Sequence, residues 1–276
     1  MPTPPGDNAP RLCFRGPERE TPNAGPGPRE APASEMGNQR LAVVTWLWRS
    51  RHTRTRYTAE HVNIWARMVR RNLSIPARIV CITDDGDGIS EADTLPIPDA
   101  SLEDVANRAF PERAGNPHCY RRLALWRRDV ADWLGAERIL CMDLDGVICG
   151  SLDPIVLRSE PVIIFRGTSR TRPYNGSMLM LDAGARPEVY EDFTPAEAER
   201  ASRRFVGSDQ AWMMHKLGPN CAVFDERDGA YHCDRSMHFK LRRGHDLPED
   251  MRVLWFTGRA KPWQWTGHPQ IARHYQ

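Results

Sequence analysis

The sequence predicts an α/β fold in which a mostly parallel sheet is flanked by helices. Short apolar runs rich in β-branched residues alternate with segments whose apolar residues recur at helical spacing. No apolar run approaches the roughly 20 residues that a membrane-spanning helix requires, so we expect no transmembrane segment. The composition, 40% hydrophobic and 27% charged, excludes collagen, coiled coils and wholesale disorder.

Residues 1–38 are predicted to form a disordered tail. This stretch is dense in proline and glycine and has almost no apolar side chains, so it cannot bury enough surface to offset its ordering entropy. An alternative is that translation starts at Met36 and that the tail is not made. In either case we expect residues 39–276 to form one domain.

The first predicted strand is the continuous apolar run LAVVTWL at 41–47, which is typical of a strand buried on both faces. Thr58 is a suitable N-cap for a helix whose apolar stripe begins at Val62 and Trp65. Pro76 ends that helix, and a second buried strand is predicted at 77–83. A strand, a helix and a further strand in this order predict parallel pairing with a right-handed crossover.

The second half of the chain continues the alternation. One helix is predicted to carry five apolar residues on a single face and to end at Gly135. Four further strands and a helix capped by Ser208 follow it. The stripe consists of Tyr120, Leu123, Trp126, Val130 and Trp133, the strands are 138–142, 161–165, 177–181 and 252–256, and the capped helix ends at Leu217.

The strongest local signal is the string RILCMDLDGVICGS, in which Asp143 and Asp145 follow a predicted strand. Parallel sheets bind ligands at the carboxyl ends of their strands. Residues i and i+2 of an extended chain project to the same side, so both carboxylates are able to face one hard divalent cation. Such a cation bridges carboxylates to a diphosphate and neutralises its charge.

Two chemistries use this string. In nucleotide-sugar glycosyltransferases, DLD is the DxD motif that holds Mn2+ or Mg2+ on the donor diphosphate. In haloacid-dehalogenase-type phosphohydrolases, Asp143 is the nucleophile and Asp145 the general acid/base. The nine residues DLDGVICGS fit the two about equally well, and the rest of the chain has to discriminate between them.

The segment FTGRAKPW near the C-terminus favours the transferase. It follows an apolar strand and resembles the HFxGxxKPW signature of glycosyltransferase family 8, the glycogenin and lipopolysaccharide-transferase type. Gly258 allows the backbone to approach a phosphate, and Lys261 adds a point charge for it. The resemblance implies the Rossmann-like GT-A fold and retention at the anomeric carbon.

Two elements between these motifs resemble the same family. The string YNGSMLML resembles its FNSGV strand, which implies that Asn175 and Ser177 face the sugar or the acceptor. The string GSDQAWM resembles its GDQ element, which implies that Asp209 and Gln210 lie over the reaction centre.

The resemblance also assigns donor contacts upstream. It implies that Val44 and Thr45 lie at the nucleotide edge of the first strand. Tyr57 falls near the position of an aromatic residue that stacks on the base. Arg122 takes the place of a lysine that contacts the donor.

One position departs from the family pattern. The histidine that completes the metal shell in the C-terminal motif is replaced by Trp255, and an indole N–H cannot bind a metal. Either water or a nearby imidazole, with His238 and His245 as candidates, fills that place, or the affinity for the metal is reduced. The alternative is a catalytically inactive protein that binds nucleotide sugars on this scaffold.

Charge and cysteine usage address partners and compartment. A formal net charge of +2 favours no nucleic-acid partner, although arginine-rich loops occur at 49–56 and 166–172. Seven cysteines without a CxxC pair argue against a disulfide framework or a zinc ribbon. The N-terminal residues do not have the layout of a signal peptide, so we expect a reducing cytoplasmic setting.

The sequence therefore predicts a glycosyltransferase that moves a sugar from a nucleotide-diphosphate donor to a glycan, protein or lipid-linked acceptor. We expect the donor to be UDP-linked. Mn2+ or Mg2+ is the expected cofactor. The predicted metal ligands are Asp143 and Asp145, the predicted catalytic residues are Asn175, Asp209 and Gln210, and the predicted donor contacts are Val44, Thr45, Tyr57, Arg122, Gly258 and Lys261.

Overall fold

A seven-stranded sheet organises the molecule. The computed structural model describes residues 40–49, 55–99, 102, 119–258 and 260–276, so the predicted tail at 1–38 lies outside the described part. The strands of this sheet are β1 (Leu41–Leu47), β2 (Ala77–Thr83), β3 (Asp93–Pro96), β4 (Arg138–Met142), β6 (Val162–Ser169), β7 (Arg172–Asp182) and β8 (Ala222–Phe224), and β5 (Gly146–Ile148) belongs to a second sheet.

The strand order of the large sheet is β3-β2-β1-β4-β7-β6-β8. The pairs from β3 to β4 are parallel, as is β6 with β8, whereas β7 runs antiparallel to both of its neighbours. The carboxyl ends of β1, β2 and β4 therefore meet at one edge. The prediction of an α/β fold with a mainly parallel sheet flanked by helices is confirmed.

The strands predicted at 161–165 and 177–181 are longer than expected and form a hairpin. In the structure β6 and β7 extend toward each other until Ser169 pairs with Arg172. No helix separates them, and a parallel pair needs a crossover of about a dozen residues or more. The polar segment between the two predicted strands instead forms the end of β6 and the beginning of β7.

The helices cover both faces of the sheet. The N-cap of α1 is Thr58, as predicted, and its backbone N–H donates to Nδ1 of His61 over 3.0 Å. The helices are α1 (Ala59–Asn72), α2 (Val130–Leu134), α3 (Asp153–Val156), α4 (Glu188–Glu191), α5 (Pro195–Arg204), α6 (Asp209–Leu217), α7 (Arg235–Arg243) and α8 (Pro269–His274), with 3-10 helices at Tyr120–Trp126, Glu226–Asp228 and Pro262–Gln264.

The single helix predicted from Tyr120 to Trp133 is wrong. The chain forms a 3-10 helix that ends at Trp126, and α2 starts only at Val130. Arg127 between them is extended, at φ −65° and ψ 149°, and its guanidinium binds Asp129 over 2.5 and 2.8 Å. The apolar residues recur at helical spacing because the 3-10 helix and α2 each bury them, although the backbone does not form one continuous helix.

The predicted strand at 252–256 lies in a second, three-stranded sheet. Here β10 (Val253–Trp255) pairs with β5 and with β9 (Ala230–His232). The pairing aligns Trp255 with Gly146, and the backbone N–H of Phe256 donates to the Asp145 carbonyl over 3.0 Å. The C-terminal motif is thereby held against the turn that follows β4.

Two apolar cores pack on the two faces of the large sheet. One includes Trp65 of α1 and extends under the small sheet to Trp255, and the other includes Trp126 and Trp212. Among the described residues, no helix combines the length and apolar character needed to cross a bilayer.

Candidate active site

Asp143 and Asp145 occupy the turn between β4 and β5, at the carboxyl edge of the parallel strands. The backbone N–H of Asp143 donates to the Ser177 carbonyl over 2.9 Å, which ties this turn to β7. The Asp143 side chain is 33% exposed, whereas that of Asp145 is 10% exposed. One carboxylate of the pair is thus open and the other is enclosed.

A buried arginine joins two of the predicted carboxylates. Nη1 of Arg122 donates to Oδ1 of Asp143 over 2.5 Å, while Nη2 and Nε donate to Oδ2 of Asp209 over 2.6 and 3.0 Å. Nη1 also donates to the Gly176 carbonyl over 3.0 Å. Arg122 therefore uses most of its N–H groups for hydrogen bonds within the protein. The predicted contact with the sugar donor would be additional to these bonds.

The position of Arg122 depends on a glycine in the YNGS strand. A Cβ on Gly176 would overlap the guanidinium, so a larger residue there would displace it. The backbone N–H of Gly176 lies 3.4 Å from Oε1 of Gln210. Gly176 thus lets the arginine and the start of α6 approach β7 closely.

Lys261 forms the corresponding contact on Asp145. Its Nζ lies 2.5 Å from Oδ2 of Asp145, and both side chains are at most 10% exposed. Nζ is also 3.4 Å from the Phe256 carbonyl. The lysine of the C-terminal motif therefore reaches the DLD motif across 116 residues of sequence.

Tyr57 completes the enclosure of Asp145. Its hydroxyl donates to the same Oδ2 over 3.2 Å, and Nζ of Lys261 lies 5.8 Å from the centre of its ring. The ring packs edge-on against Trp263 and His61, each at 5.8 Å between centroids. Tyr57 thus lies in the site, where it contacts the DLD motif.

The remaining predicted catalytic residues converge on the same edge. Asp209 is 4% exposed at the first position of α6, and its Oδ1 accepts a hydrogen bond from the Ser208 hydroxyl over 3.3 Å. Oδ1 of Asn175, which is 7% exposed, accepts from the Ser177 N–H over 2.8 Å. Nε2 of Gln210 donates to the Val206 carbonyl over 3.0 Å.

Gly258 adopts a conformation that favours glycine. Its φ is +109°, in the left-handed half of the Ramachandran plot. Apart from its chain neighbours, no described residue has an atom within 4 Å of where its Cβ would be. The residue is therefore selected by its backbone rather than by close packing. The open space above it is compatible with the predicted approach of a phosphate.

The structure does not bring the side chains of Val44 and Thr45 to the site. Both are 0% exposed in the middle of β1, where Val44 belongs to a core and Thr45 pairs in register with Cys81. Helix α1 covers one face of β1, and the 3-10 helix Tyr120–Trp126 covers the other. Only the last residues of β1 therefore reach the carboxyl edge of the sheet. Their side chains are core residues in this structure.

Trp255 packs in the core, where its ring lies against Gly146 and 6.3 Å from the ring of Phe165. It is 0% exposed, and a Cβ on Gly146 would lie 2.6 Å from its ring. Among the described contacts, neither candidate imidazole touches Asp143 or Asp145. His238 contacts Cys233 and Trp265, and His245 packs against Phe239.

The two carboxylates of the DLD turn are suited to a hard divalent cation whose other ligands are phosphate and water oxygens. Within the described residues, no group of three or more His, Cys, Asp or Glu side chains is arranged to hold a metal. However, Oδ1 of Asp145 is buried without a hydrogen-bond partner, and Asp143 is partly open beside it. Mg2+ and Mn2+ accept carboxylate, phosphate and water oxygens, so these two residues fit such an ion.

Burial and charge shift the pKa values of this cluster. Burial would lower the pKa of Arg122, but Asp143 and Asp209 raise it well above its ordinary value. Burial raises the pKa of Asp209 and of Asp145, and the neighbouring Arg122 and Lys261 oppose these shifts. Burial and the two DLD carboxylates raise the pKa of Tyr57, so its hydroxyl stays protonated.

Sequence reasoning did not identify the close approaches that build the site. The sequence does not predict the close contact of Gly176 with Arg122, or the packing of Trp263 and His61 against Tyr57. The available signal was the glycine beside Asn175 in YNGS and the tryptophan that ends KPW. Neither indicates its contact partner, because those partners are distant in sequence.

Comparison with solved structures identifies the fold. The galactosyltransferase LgtC, in complex with donor and acceptor sugar analogues, matches over 84% of this chain and 94% of its own, at 12% identity and a TM-score of 0.51. An active-site mutant of LgtC matches over the same shares at 12% identity and a TM-score of 0.50. No family model and no curated protein sequence matches the chain. The predicted GT-A fold is thereby confirmed.

Proposed function

We propose that this protein is a glycosyltransferase that takes a sugar from a UDP-linked donor with the help of Mn2+ or Mg2+. The convergence of charged residues from four segments supports this proposal most directly. Arg122, the DLD turn, Asp209 and Lys261 meet within hydrogen-bonding distance at the edge where α/β sheets bind ligands. Their order along the chain matches that of the motifs resembling family 8.

The roles follow from charge and accessibility. Asp143 and Asp145 would hold the cation, which neutralises the charge that develops on the leaving diphosphate. Lys261, a mobile point charge beside them, binds the diphosphate. The ring of Tyr57 and the aromatic neighbours around it form the apolar surface on which a base would stack.

Asp209, Gln210 and Asn175 face the transferred sugar and the acceptor in this proposal. Asp209 is fixed by Arg122 and Ser208, so its carboxylate is held in one orientation. A fixed polar group is suited to positioning hydroxyl groups at the reaction centre. We propose retention at the anomeric carbon, which the resemblance to family 8 implies.

The phosphohydrolase alternative receives less support from the geometry. Its nucleophile would be Asp143, whose Oδ1 is engaged by Arg122. The described lysine in the site pairs with Asp145 instead, which is the group that such an enzyme uses as general acid/base. An inactive nucleotide-sugar binder is favoured by one observation, the burial of Trp255 where the family motif has histidine.

Ligand-induced stabilisation tests these alternatives. The protein is heated with UDP-, GDP- and dTDP-sugars in the presence of Mn2+, and release of the nucleotide is measured in parallel. We expect a UDP-sugar to raise the Tm and to release UDP. Lys261→Ala should lose most of this stabilisation, whereas Lys240→Ala, on α7, should keep it.

Each alternative gives a different result. Stabilisation without any UDP release, with acceptors supplied, would favour the inactive binder. Hydrolysis of a phosphate ester, together with trapping of beryllofluoride on Asp143, would favour the phosphohydrolase. The absence of stabilisation by every nucleotide sugar would contradict the proposal.

A further inference from the structure

The two carboxylates of the DLD motif differ in how they are enclosed. Oδ2 of Asp145 accepts from both Lys261, over 2.5 Å, and Tyr57, over 3.2 Å. Its Oδ1 is buried and has no hydrogen-bond partner among the described residues. Asp143 is 33% exposed and is engaged by Arg122 at Oδ1. The Asp143 carboxylate is therefore accessible from solvent, whereas the Asp145 carboxylate is covered.

An ammonium group and a divalent cation at the same carboxylate repel each other. In the buried setting of Lys261 and Asp145 this repulsion is screened less than at the surface. A cation that binds Asp143 and Oδ1 of Asp145 therefore competes with Lys261 for the charge of the Asp145 carboxylate. An ammonium that is displaced then needs another anion, because a buried unpaired charge is unfavourable.

The local structure allows this movement without a change of fold. The backbone N–H of Lys261 donates to Oε1 of Gln264 over 2.9 Å, which fixes the start of the 3-10 helix Pro262–Gln264. The lysine side chain has a flexible four-carbon stem. Rotation about the bonds of that stem moves Nζ away from Asp145 while the backbone of Lys261 stays in place.

We propose that Lys261 holds Asp145 closed in the ligand-free protein and transfers to the donor diphosphate when the cation binds. This inference rests on the proposed function and adds a binding order to it. Lys261 opposes the cation when no nucleotide is present and assists the nucleotide when the cation is present. By linkage, cation and nucleotide each increase the affinity for the other, and Lys261 carries part of this coupling.

The test is a pair of binding titrations on the full chain. Mn2+ binding is measured by electron paramagnetic resonance of the free ion, without and with UDP, and UDP binding by calorimetry with Mn2+. The variant is Lys261→Gln, which removes the charge and keeps a hydrogen-bond donor toward Asp145. The matched control is Lys216→Gln, because Nζ of Lys216 also lies 2.5 Å from a carboxylate, that of Asp192, at the surface.

We expect opposite changes in the two affinities. Lys261→Gln should bind Mn2+ alone about tenfold more tightly than the wild type and bind UDP about tenfold more weakly. Lys216→Gln should change neither. A purely structural role of Lys261 would weaken both, and that result, or an unchanged affinity for Mn2+ alone, would overturn the inference.

A measurement on the wild type keeps the test independent of how the variant folds. The chain has three lysines, Lys216, Lys240 and Lys261, so reductive methylation is simple to follow by mass spectrometry. Lys261 should be protected without ligand, more reactive with Mn2+ alone, and protected again with Mn2+ and UDP. Equal reactivity in the first two states would overturn the inference.

The outcomes also separate this inference from the proposed function. If the wild type binds both Mn2+ and UDP but the affinities for Mn2+ do not respond to Lys261→Gln, only the inference fails. If the wild type binds neither probe, the proposed function fails and the inference fails with it.

Discussion

Replacing Arg122 by methionine is the most informative perturbation of the folded state. The arginine side chain is 11% exposed and donates to Asp143, to Asp209 and to the Gly176 carbonyl. Methionine has a similar length but no donor. The variant therefore leaves Asp209, whose side chain is 5% exposed, without its cation.

The expected loss follows from the burial of the pair. Removing one partner of a buried ion pair lowers the free energy of unfolding by about 3–5 kcal/mol. For a domain of this size, that corresponds to a decrease in Tm of roughly 6–20 °C. The matched control is Arg128→Met, since Arg128 also lies 2.5 Å from a carboxylate, that of Glu191, but is 71% exposed. The control should lose far less stability, because a solvent-exposed ion pair contributes little to folding.

The pH dependence provides a second readout of the same variant. Burial raises the pKa of Asp209 even beside Arg122, and loss of the guanidinium should raise it further. A carboxyl whose folded pKa exceeds its unfolded value disfavours the folded state increasingly as pH rises through that range. The deficit of Arg122→Met should therefore be smaller at about pH 5 than at about pH 8.

Urea denaturation at both pH values, followed by tryptophan fluorescence, measures these quantities. A loss in Arg122→Met no larger than in Arg128→Met would refute the reasoning. So would a deficit that grows on acidification, because it would mean that the ion pair is not the origin of the effect.

Three further predictions concern the surroundings of the site. Gly146→Ala should lower the free energy of unfolding by about 1–3 kcal/mol, because its Cβ would lie 2.6 Å from the Trp255 ring. Gly267→Ala, where no described residue beyond its chain neighbours lies within 4 Å of the added Cβ, should be neutral in the same urea titration. Tyr57→Phe should lose about 1 kcal/mol with its hydrogen bond to Asp145, and no change in the urea midpoint would contradict that contact. Burial raises the pKa of Cys141 to about 12, so this thiol should not react with a thiol reagent at about pH 8 in the native protein. Mass spectrometry should find it labelled only in urea, and rapid labelling of the native protein would contradict its burial.

The strands were predictable because their burial leaves a local signature. LAVVTWL at 41–47 and RILCM at 138–142 are continuous apolar runs, and both form central strands. The helix over 120–133 was mispredicted because apolar spacing records which side chains are buried and not whether the backbone continues between them. The extended backbone of Arg127 interrupts the helix within an unbroken apolar pattern.

The site was predictable as a set of residue types but not as a set of contacts. Strand ends and short motifs mark Asp143, Asp145, Asp209 and Lys261 in the sequence, and the structure places these side chains at one edge of the sheet. Which carboxylates pair with Arg122 and which one pairs with Lys261 depends on contacts between segments up to 116 residues apart. No local sequence pattern specifies such contacts. Val44 and Thr45 illustrate the converse, since the motif resemblance assigns them to the nucleotide edge whereas the structure buries their side chains in the middle of β1.

The rate of UDP release from a UDP-sugar with Mn2+ tests the central claim most directly, when wild type is compared with Asp143→Asn and Asp145→Asn. Each asparagine removes a charge that the cation needs, so each variant should lose about 100-fold or more in rate. Asp192→Asn, at the surface salt bridge with Lys216, should retain the wild-type rate. Wild-type rates in either DLD variant would contradict the account.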